Sequence, residues 1–182
     1  MSGRVVVLID GMYLQEVQNA LGLAGRLDYE KLTDKLAGDS KRYRTYIFDA
    51  LPLPGSPRRD RKEGFLTKLD YLDRFQVETG HLKIERYICS RCGSAIAVTK
   101  QKRVDVLIAT RMLECSYDSK IDRIGLLAGD ADFIPAVEVA KRRTAVVLAY
   151  GDTREATASE ELKRTCDGRI KLNQDYLADC LR

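Results

Sequence analysis

The sequence of this 182-residue chain predicts an α/β fold with a doubly wound, mainly parallel sheet, on three observations. Short β-branched runs such as Val5–Ile9 are apolar throughout, as expected of strands that are buried on both faces. Segments with helical spacing of apolar residues separate these runs, which is typical of a parallel sheet. Hydrophobic residues make up 45% and charged residues 32%, the balance of an ordinary globular chain. We therefore expect a single domain over residues 1–182.

The N-terminal half alternates strands with helices. Gly11 ends the run Val5–Ile9, and a helix is predicted over Met12–Leu21. A short second helix is predicted after Asp28, whose carboxylate can cap it, and Gly38 ends that helix. The remaining predicted elements of this half are a strand at Tyr43–Phe48, a Pro-rich turn at Pro52–Pro57, a charged helix at Arg58–Arg74 and a strand at Phe75–Ile84.

The C-terminal half continues the alternation. Val104–Tyr117 carries apolar residues at helical spacing, and Ile124–Ala128 is a short buried strand. A helix at Phe133–Lys141 and a fifth strand at Thr144–Tyr150 follow. A short helix at Glu160–Thr165 and the C-terminal segment Gln174–Leu181 close the chain.

Composition excludes several kinds of catalysis. The chain has one histidine, His81, so neither a mechanism with two imidazoles nor a zinc site of three histidines can form within one chain. The sequence contains no G-x-S-x-G, P-loop or G-x-G-x-x-G motif, which removes the sequence support for a nucleophile-elbow hydrolase or a common nucleotide cradle. The reactive groups that remain plentiful are carboxylates.

Cysteine usage and hydropathy indicate the compartment. The five cysteines are odd in number and mostly scattered, which fits a reducing compartment better than a disulfide scaffold. The apolar run Val5–Ile9 is much shorter than the roughly 18 residues of a membrane span, and no signal peptide precedes it. We expect a soluble, cytoplasmic protein with no membrane partner.

Aspartates lie at the ends of two predicted strands. Asp10 ends the first strand, while Asp130 and Asp132 follow the fourth in the tight turn Gly-Asp-Ala-Asp-Phe. If these strands are neighbours, the three carboxylates converge at the edge of the sheet where ligands bind in such folds. Asp105 begins the helix before the fourth strand and can direct one more carboxylate to the same place.

These aspartates indicate a site for a hard cation. Each one alone is explained more simply as the N-cap of a helix, but their matching positions in the topology favour a shared site. Carboxylates this close repel one another unless protons or a cation neutralise them, and Mg²⁺ or Mn²⁺ prefers oxygen ligands. A cation there would activate water and polarise a phosphate oxygen, which suits phosphodiester hydrolysis.

Three motifs resemble those of the NYN domain family of PIN-like ribonucleases, in the same order and at the same spacing. They are the segments 5–11, 102–109 and 126–137, with sequences VVVLIDG, KRVDVLIA and LLAGDADFIPAV. The stretch 158–164, followed by Ile170, is similar to the last helix and strand of the family. The resemblance implies a PIN-like fold with strand order 3-2-1-4-5 and metal-dependent cleavage of RNA. It also implies an acidic cluster that binds the metal and catalyses the reaction, formed by Asp10, Asp105, Asp130 and Asp132.

The chain departs from the family pattern at two positions. Tyr13 stands where the family has asparagine, and Arg111 stands where it has an acidic residue. Arg111 either clamps a phosphate or neutralises a site with weakened metal binding. The second hypothesis is therefore a PIN-like module that binds RNA or a protein partner without cleavage. The third and weakest hypothesis is a phosphatase of the haloacid dehalogenase type, because the chemistry of such an enzyme needs an aspartate where this chain has Met12.

Positive charge is concentrated between Lys83 and Arg103, where we expect an inserted basic hairpin at about 84–102. Six basic residues and one acidic residue, Glu85, give this segment a net charge of +5, against +4 for the whole chain. It leads to Asp105 and can hold phosphates beside the acidic site, with Tyr87 available to stack on a base. An ordinary solvated loop is the alternative. The predicted RNA contacts are Lys102, Arg103, Arg111, Tyr13, Arg86 and Arg91.

Cys89 and Cys92 in this hairpin have the spacing of a zinc knuckle, followed by Gly93. One such pair supplies half of the ligands that a structural zinc needs, so a reduced, metal-free hairpin is the simpler interpretation. For a zinc site, the missing ligands could come from Cys115, Cys166 or His81, or from the same pair in a second subunit of a homodimer.

Overall fold

The computed structural model describes residues 3–182 and shows one mixed sheet with helices packed against it. The strands are Arg4–Asp10 (β1), Lys41–Leu51 (β2), Phe75–Ile88 (β3), Ala95–Lys102 (β4), Arg123–Leu127 (β5), Ala145–Gly151 (β6) and Gly168–Leu172 (β7). The helices are Gly11–Ala20 (α1), Tyr29–Ala37 (α2), Arg59–Asp70 (α3), Val104–Tyr117 (α4), Ile134–Ala140 (α5), Glu160–Thr165 (α6) and Gln174–Ala178 (α7). A 3₁₀ turn at Ala131–Phe133 precedes α5.

The predicted strand order 3-2-1-4-5 is wrong. The sheet has seven strands in the order β4-β3-β2-β1-β5-β6-β7, and β3 and β4 are antiparallel. The five segments predicted as strands form β1, β2, β3, β5 and β6. The five-strand order left out β4 and β7, which were expected only as part of the basic hairpin and, from the family resemblance, as a last strand near Ile170. Neither has a long buried apolar run: β4 begins with the short run Ala95–Val98 but is solvent-accessible along its whole length, and β7 alternates basic with apolar residues.

The centre of the sheet is the core of the molecule. Every residue of β1 from Val5 onward is buried, and β1 pairs in parallel with β2 on one side and β5 on the other. Phe48, Ile108 and Leu126 are fully buried around it. Burial on both faces explains why β1 tolerates only apolar side chains until Asp10, where the strand ends.

The outer end of β3 leaves this core. At Gly80, an added Cβ would overlap the Lys102 carbonyl and the Val104 side chain, so the chain can return from β4 into α4 only because residue 80 has no side chain. Beyond this junction, β3 and β4 pair from His81–Lys102 to Ile88–Ala95. No helix between residues 3 and 182 is long and apolar enough to cross a membrane.

Candidate functional site

The carboxyl ends of the central strands place the predicted aspartates at one edge of the sheet. Ile9 is paired with Leu127, so Asp10 at the end of β1 lies next to the end of β5. Asp130 follows β5 by three residues, and Asp132 lies in the 3₁₀ turn. Asp105 is in the first turn of α4, which packs against β1, β2 and β3.

Asp10 has both a capping role and a place in the cluster. Its side chain is 8% exposed, and Oδ1 accepts hydrogen bonds from the backbone N–H groups of Met12 (3.0 Å) and Tyr13 (3.2 Å). Oδ2 takes no hydrogen bond within residues 3–182. Burial raises the pKa of Asp10 to about 6 against the opposing effect of these two hydrogen bonds, and the negative charges of Asp105 and Asp49 add to the increase.

Asp105 lies near enough to interact electrostatically with Asp10 on one side and with Asp130 and Asp132 on the other. Partial burial raises its pKa, and the charges of Asp130 and Asp132 raise it further. In the part of the chain that the structure describes, no salt bridge neutralises any of the four predicted aspartates. The capping interpretation applies to two of them: Asp10 caps α1, and Asp130 accepts a hydrogen bond from the N–H of Asp132 at 3.0 Å.

Asp49 is a member of this neighbourhood that the sequence analysis missed. It is 5% exposed in β2, and its Oδ2 lies 2.5 Å from Nζ of Lys62 in α3. A Cβ added to Gly11 would lie 2.5 Å from that same Oδ2, so Gly11 lets Asp49 approach the Asp10 turn. The signal was present, because Asp49 follows the predicted strand ending at Phe48 as Asp10 follows Ile9.

A cleft of about 460 Å³ opens beside Asp10 and Asp130. It adds two carboxylates that no sequence pattern indicated, Glu16 of α1 and Glu155 in the loop before α6. Asp105 and Asp132 are not among its lining residues. The complete lining is Asp10, Met12, Tyr13, Glu16, Gly129, Asp130, Ala131, Glu155, Ala156, Thr157 and Ser159.

Tyr13 supports the floor of this cleft. Its hydroxyl accepts a hydrogen bond from the N–H of Gly151 (3.2 Å) and donates one to the carbonyl of Ala156 (3.4 Å). A Cβ added to Gly129 would lie 2.8 Å from Cδ2 of the ring, so the glycine lets the turn before Asp130 rest on Tyr13. Burial raises the pKa of this phenol to about 12. The predicted contact of Tyr13 with RNA stays a prediction.

Arg111 is held by protein carboxylates. Its guanidinium donates to Oε1 of Glu78 from Nε (3.0 Å) and Nη2 (2.5 Å), and Nη1 lies 2.7 Å from Oε2 of Glu114. It also covers the ring of Tyr46 at 4.6 Å from the ring centroid. Its charge is therefore already balanced, and a phosphate would have to compete with two glutamates for it.

The other predicted RNA contacts lie along the hairpin. Lys102 forms a 2.9 Å ion pair with Glu85, and the exposed Arg103 adopts a left-handed backbone conformation at the start of α4. These two residues are close to Asp105 in the chain. Arg86 lies farther out on β3 and Arg91 lies in the turn at the tip; neither forms an ion pair with residues 3–182.

The donor set fits a hard divalent cation. Within residues 3–182, no three His, Cys, Asp or Glu side chains are grouped closely enough to hold a metal ion by themselves. Mg²⁺, however, is commonly held by one or two carboxylates, with water and substrate phosphates as the other ligands. Burial is the main cause of the raised pKa values of Asp10 and Asp105, and the repulsion from neighbouring carboxylates that adds to them is what a cation would relieve.

Comparisons with known proteins bear on the family and the fold of the chain. The family model of the NYN domain matches residues 4–173. An uncharacterised protein of Methanocaldococcus jannaschii is 30% identical over 161 residues, covering 82% of this chain and 65% of the relative, so the chain spans less than two thirds of that protein. The crystal structure of a protein of unknown function from Vibrio parahaemolyticus has a TM-score of 0.62 at 20% identity, covering 100% of this chain and 97% of the other. That likeness shows the fold alone.

Proposed function

The chain belongs to the NYN domain family, a group of PIN-like nucleases, and from this membership we propose that it is a metal-dependent endoribonuclease. The reaction would be hydrolysis of RNA phosphodiester bonds at Asp10, Asp105, Asp130 and Asp132. The observation that carries the proposal is the placement of carboxylates at this edge: Asp10 and Asp130 line one cleft, and no salt bridge from residues 3–182 neutralises any of the four aspartates.

Mg²⁺ or Mn²⁺ bound there would lower the pKa of a coordinated water and polarise a phosphate oxygen. The residues that would hold the ion are Asp10, through Oδ2, together with Asp105, Asp130 and Asp132. The backbone N–H groups of Met12 and Tyr13 fix the orientation of the Asp10 carboxylate before substrate arrives. Asp105, with its raised pKa, is suited to accept a proton from the attacking water.

Phosphate binding would come from the base of the hairpin. Lys102 and Arg103 immediately precede Val104 and Asp105, so their side chains can hold the backbone of RNA that enters the acidic cleft. Because Lys102 already pairs with Glu85, the exposed Arg103 is the more available cation of the two.

The test is cleavage of labelled single-stranded and hairpin RNA in Mg²⁺, Mn²⁺ or EDTA. We expect cleavage that requires metal and falls about 100-fold or more in Asp10→Asn and in Asp130→Asn, because each variant removes a negative charge but keeps the shape of the side chain. Asp60→Asn, an exposed position in α3, is the matched control and should cleave like wild type. Undiminished cleavage by both cleft variants would remove this mechanism.

A second candidate function is binding of RNA without cleavage. It is favoured by Arg111, which stands at a position where the family has an acidic residue and is held by Glu78 and Glu114. This function predicts RNA binding that persists in EDTA, with no turnover in any metal. An Arg111→Asp variant that gains metal-dependent cleavage would identify the wild-type site as a weakened nuclease.

A further inference from the structure

The hairpin formed by β3 and β4 projects from the body of the protein. From Lys83 to Ile88, β3 extends about 17 Å at the usual rise of a strand, with β4 as its only partner among the described residues. Residues 95–100 of β4 are exposed. A two-stranded ribbon with both faces in water has marginal stability by itself, so this hairpin needs a further source of order.

Apolar side chains are concentrated near its tip. Ile88 is 77% exposed and Ile96 is 51% exposed, and they occupy the last two pairs before the turn, Ile88–Ala95 and Tyr87–Ile96. Their side chains point to opposite faces of the ribbon because successive strand residues alternate. Each face of the ribbon therefore presents one exposed isoleucine beside the turn, where a partner bound at the tip can contact it.

The turn itself is built as half of a thiolate site. Gly93, at φ +70, donates its N–H to the Cys89 carbonyl (2.8 Å), and the Cys89 N–H is donated to the Ser94 carbonyl (2.9 Å). This tight loop brings the two thiols within reach of each other. The Cys92 thiol donates a hydrogen bond to the Ser94 hydroxyl at 3.3 Å, which holds it on the inner side of the same turn.

One chain cannot complete that site. Cys115 and Cys166 are buried at 7% and 5% exposure in the core, and His81 lies at the base of the hairpin, paired with Lys102. From His81 to Ile88 the strand runs about 24 Å, too far for an imidazole to share a ligand sphere with the turn. Within residues 3–182 no third ligand joins the cysteine pair.

We propose that two copies of the chain meet at their hairpin tips and share one zinc ion, held by Cys89 and Cys92 of each copy. The second copy supplies the two thiolates that a tetrahedral structural site lacks. Four thiolates around Zn²⁺ carry a net charge of −2, which offsets the repulsion between two basic hairpins. Ile88 and Ile96 lie beside the shared ion, where they can pack against the second copy and lose their exposure.

The experiment measures metal content and oligomeric state of the full chain, purified with a non-thiol reductant and without added metal. We expect about one zinc ion per two chains by elemental analysis, and a dimer by size-exclusion chromatography with light scattering. A zinc chelator should convert the dimer to monomer, and added Zn²⁺ should restore it. Cys92→Ser should lose the zinc and be monomeric, while the helical signal in its circular dichroism spectrum stays that of wild type.

Ser90→Ala, in the same turn, is the matched control and should retain both zinc and dimer. Three results would overturn the proposal. They are a monomer without zinc even after Zn²⁺ is added, one zinc ion per monomeric chain, and a dimer that persists in Cys92→Ser. Because RNA cleavage is not a readout, these results are independent of the fate of the nuclease proposal.

Discussion

Two carboxylates in this molecule are shifted in opposite directions, and the contrast separates the cleft from the hairpin. The pKa of Asp10 is raised to about 6, mainly by burial, while that of Glu85 on the hairpin is lowered to about 2 by hydrogen bonds from Tyr87, Lys102 and Lys100. The hairpin therefore satisfies its acidic group internally and keeps a basic surface. The aspartates of the cleft accept backbone hydrogen bonds but have no basic partner among residues 3–182, which is the state expected of a site that binds a cation.

Near the cleft, Lys62 neutralises one buried carboxylate, that of Asp49, whose charge also acts on Asp10. This ion pair gives the largest effect that we expect. Lys62→Met leaves the Asp49 charge buried and unpaired, so we expect a loss of about 3 kcal/mol in the free energy of unfolding. Urea denaturation at pH 7.5 measures it. The double variant Lys62→Met, Asp49→Asn should recover most of the loss. Equal stability of the single variant and wild type would show that the pair is solvated.

The next largest effect is expected from Asp105→Asn, which should lower the rate of RNA cleavage. If Asp105 accepts a proton from the attacking water, kcat should fall about 100-fold, equivalent to about 2.7 kcal/mol, while the Kd for RNA changes little. Single-turnover cleavage and filter binding separate the two quantities. Asp118→Asn, just beyond the other end of α4, is the control. A variant that loses affinity but keeps its rate would place Asp105 in binding instead.

Asp10→Asn should stabilise the protein in EDTA by about 2 kcal/mol at pH 7.5. The pKa of Asp10 is about 6 in the folded protein, above its ordinary value of 3.8, so the folded state binds this proton more tightly than the unfolded state does. Wild type consequently loses stability as the pH rises through the interval from 3.8 to about 6. Asparagine can still cap α1 and has no charge to bury.

The comparison is made by denaturation of both proteins at pH 7.5 and at pH 4. The stability difference should be present at pH 7.5 and small at pH 4, where the wild-type carboxyl is protonated. Added Mg²⁺ should narrow the difference at pH 7.5 by stabilising wild type alone. A difference that is the same at both pH values would show that the charge of Asp10 is not responsible.

Sequence reasoning succeeded where burial dictates the residue. The short β-branched runs Val5–Ile9 and Ile124–Ala128 are typical of buried strands, and these strands pair in the sheet, so that Asp10 and Asp130 line the same cleft. It failed where structure depends on pairing between exposed residues. Strand β4 has only the short apolar run Ala95–Val98 and is formed by pairing with β3. Asp49 was missed because its approach to the Asp10 turn depends on the absence of a side chain at Gly11, which a strand pattern does not show.

Substitutions in the hairpin should have the smallest effect on stability. Arg86 and Arg91 are exposed and form no ion pair with residues 3–182, so Arg86→Ala and Arg91→Ala should change the free energy of unfolding by less than about 0.5 kcal/mol. If they contact phosphates, each variant should reduce the salt dependence of RNA binding by about one counterion and weaken affinity a few-fold, with kcat at saturating RNA unchanged. Binding titrations at several salt concentrations measure this. Arg142→Ala, exposed beyond α5, is the control. A fall in kcat without loss of affinity would mean that the hairpin positions RNA in the cleft. The hairpin and the cleft would then act together in catalysis, and the hairpin would not serve binding alone.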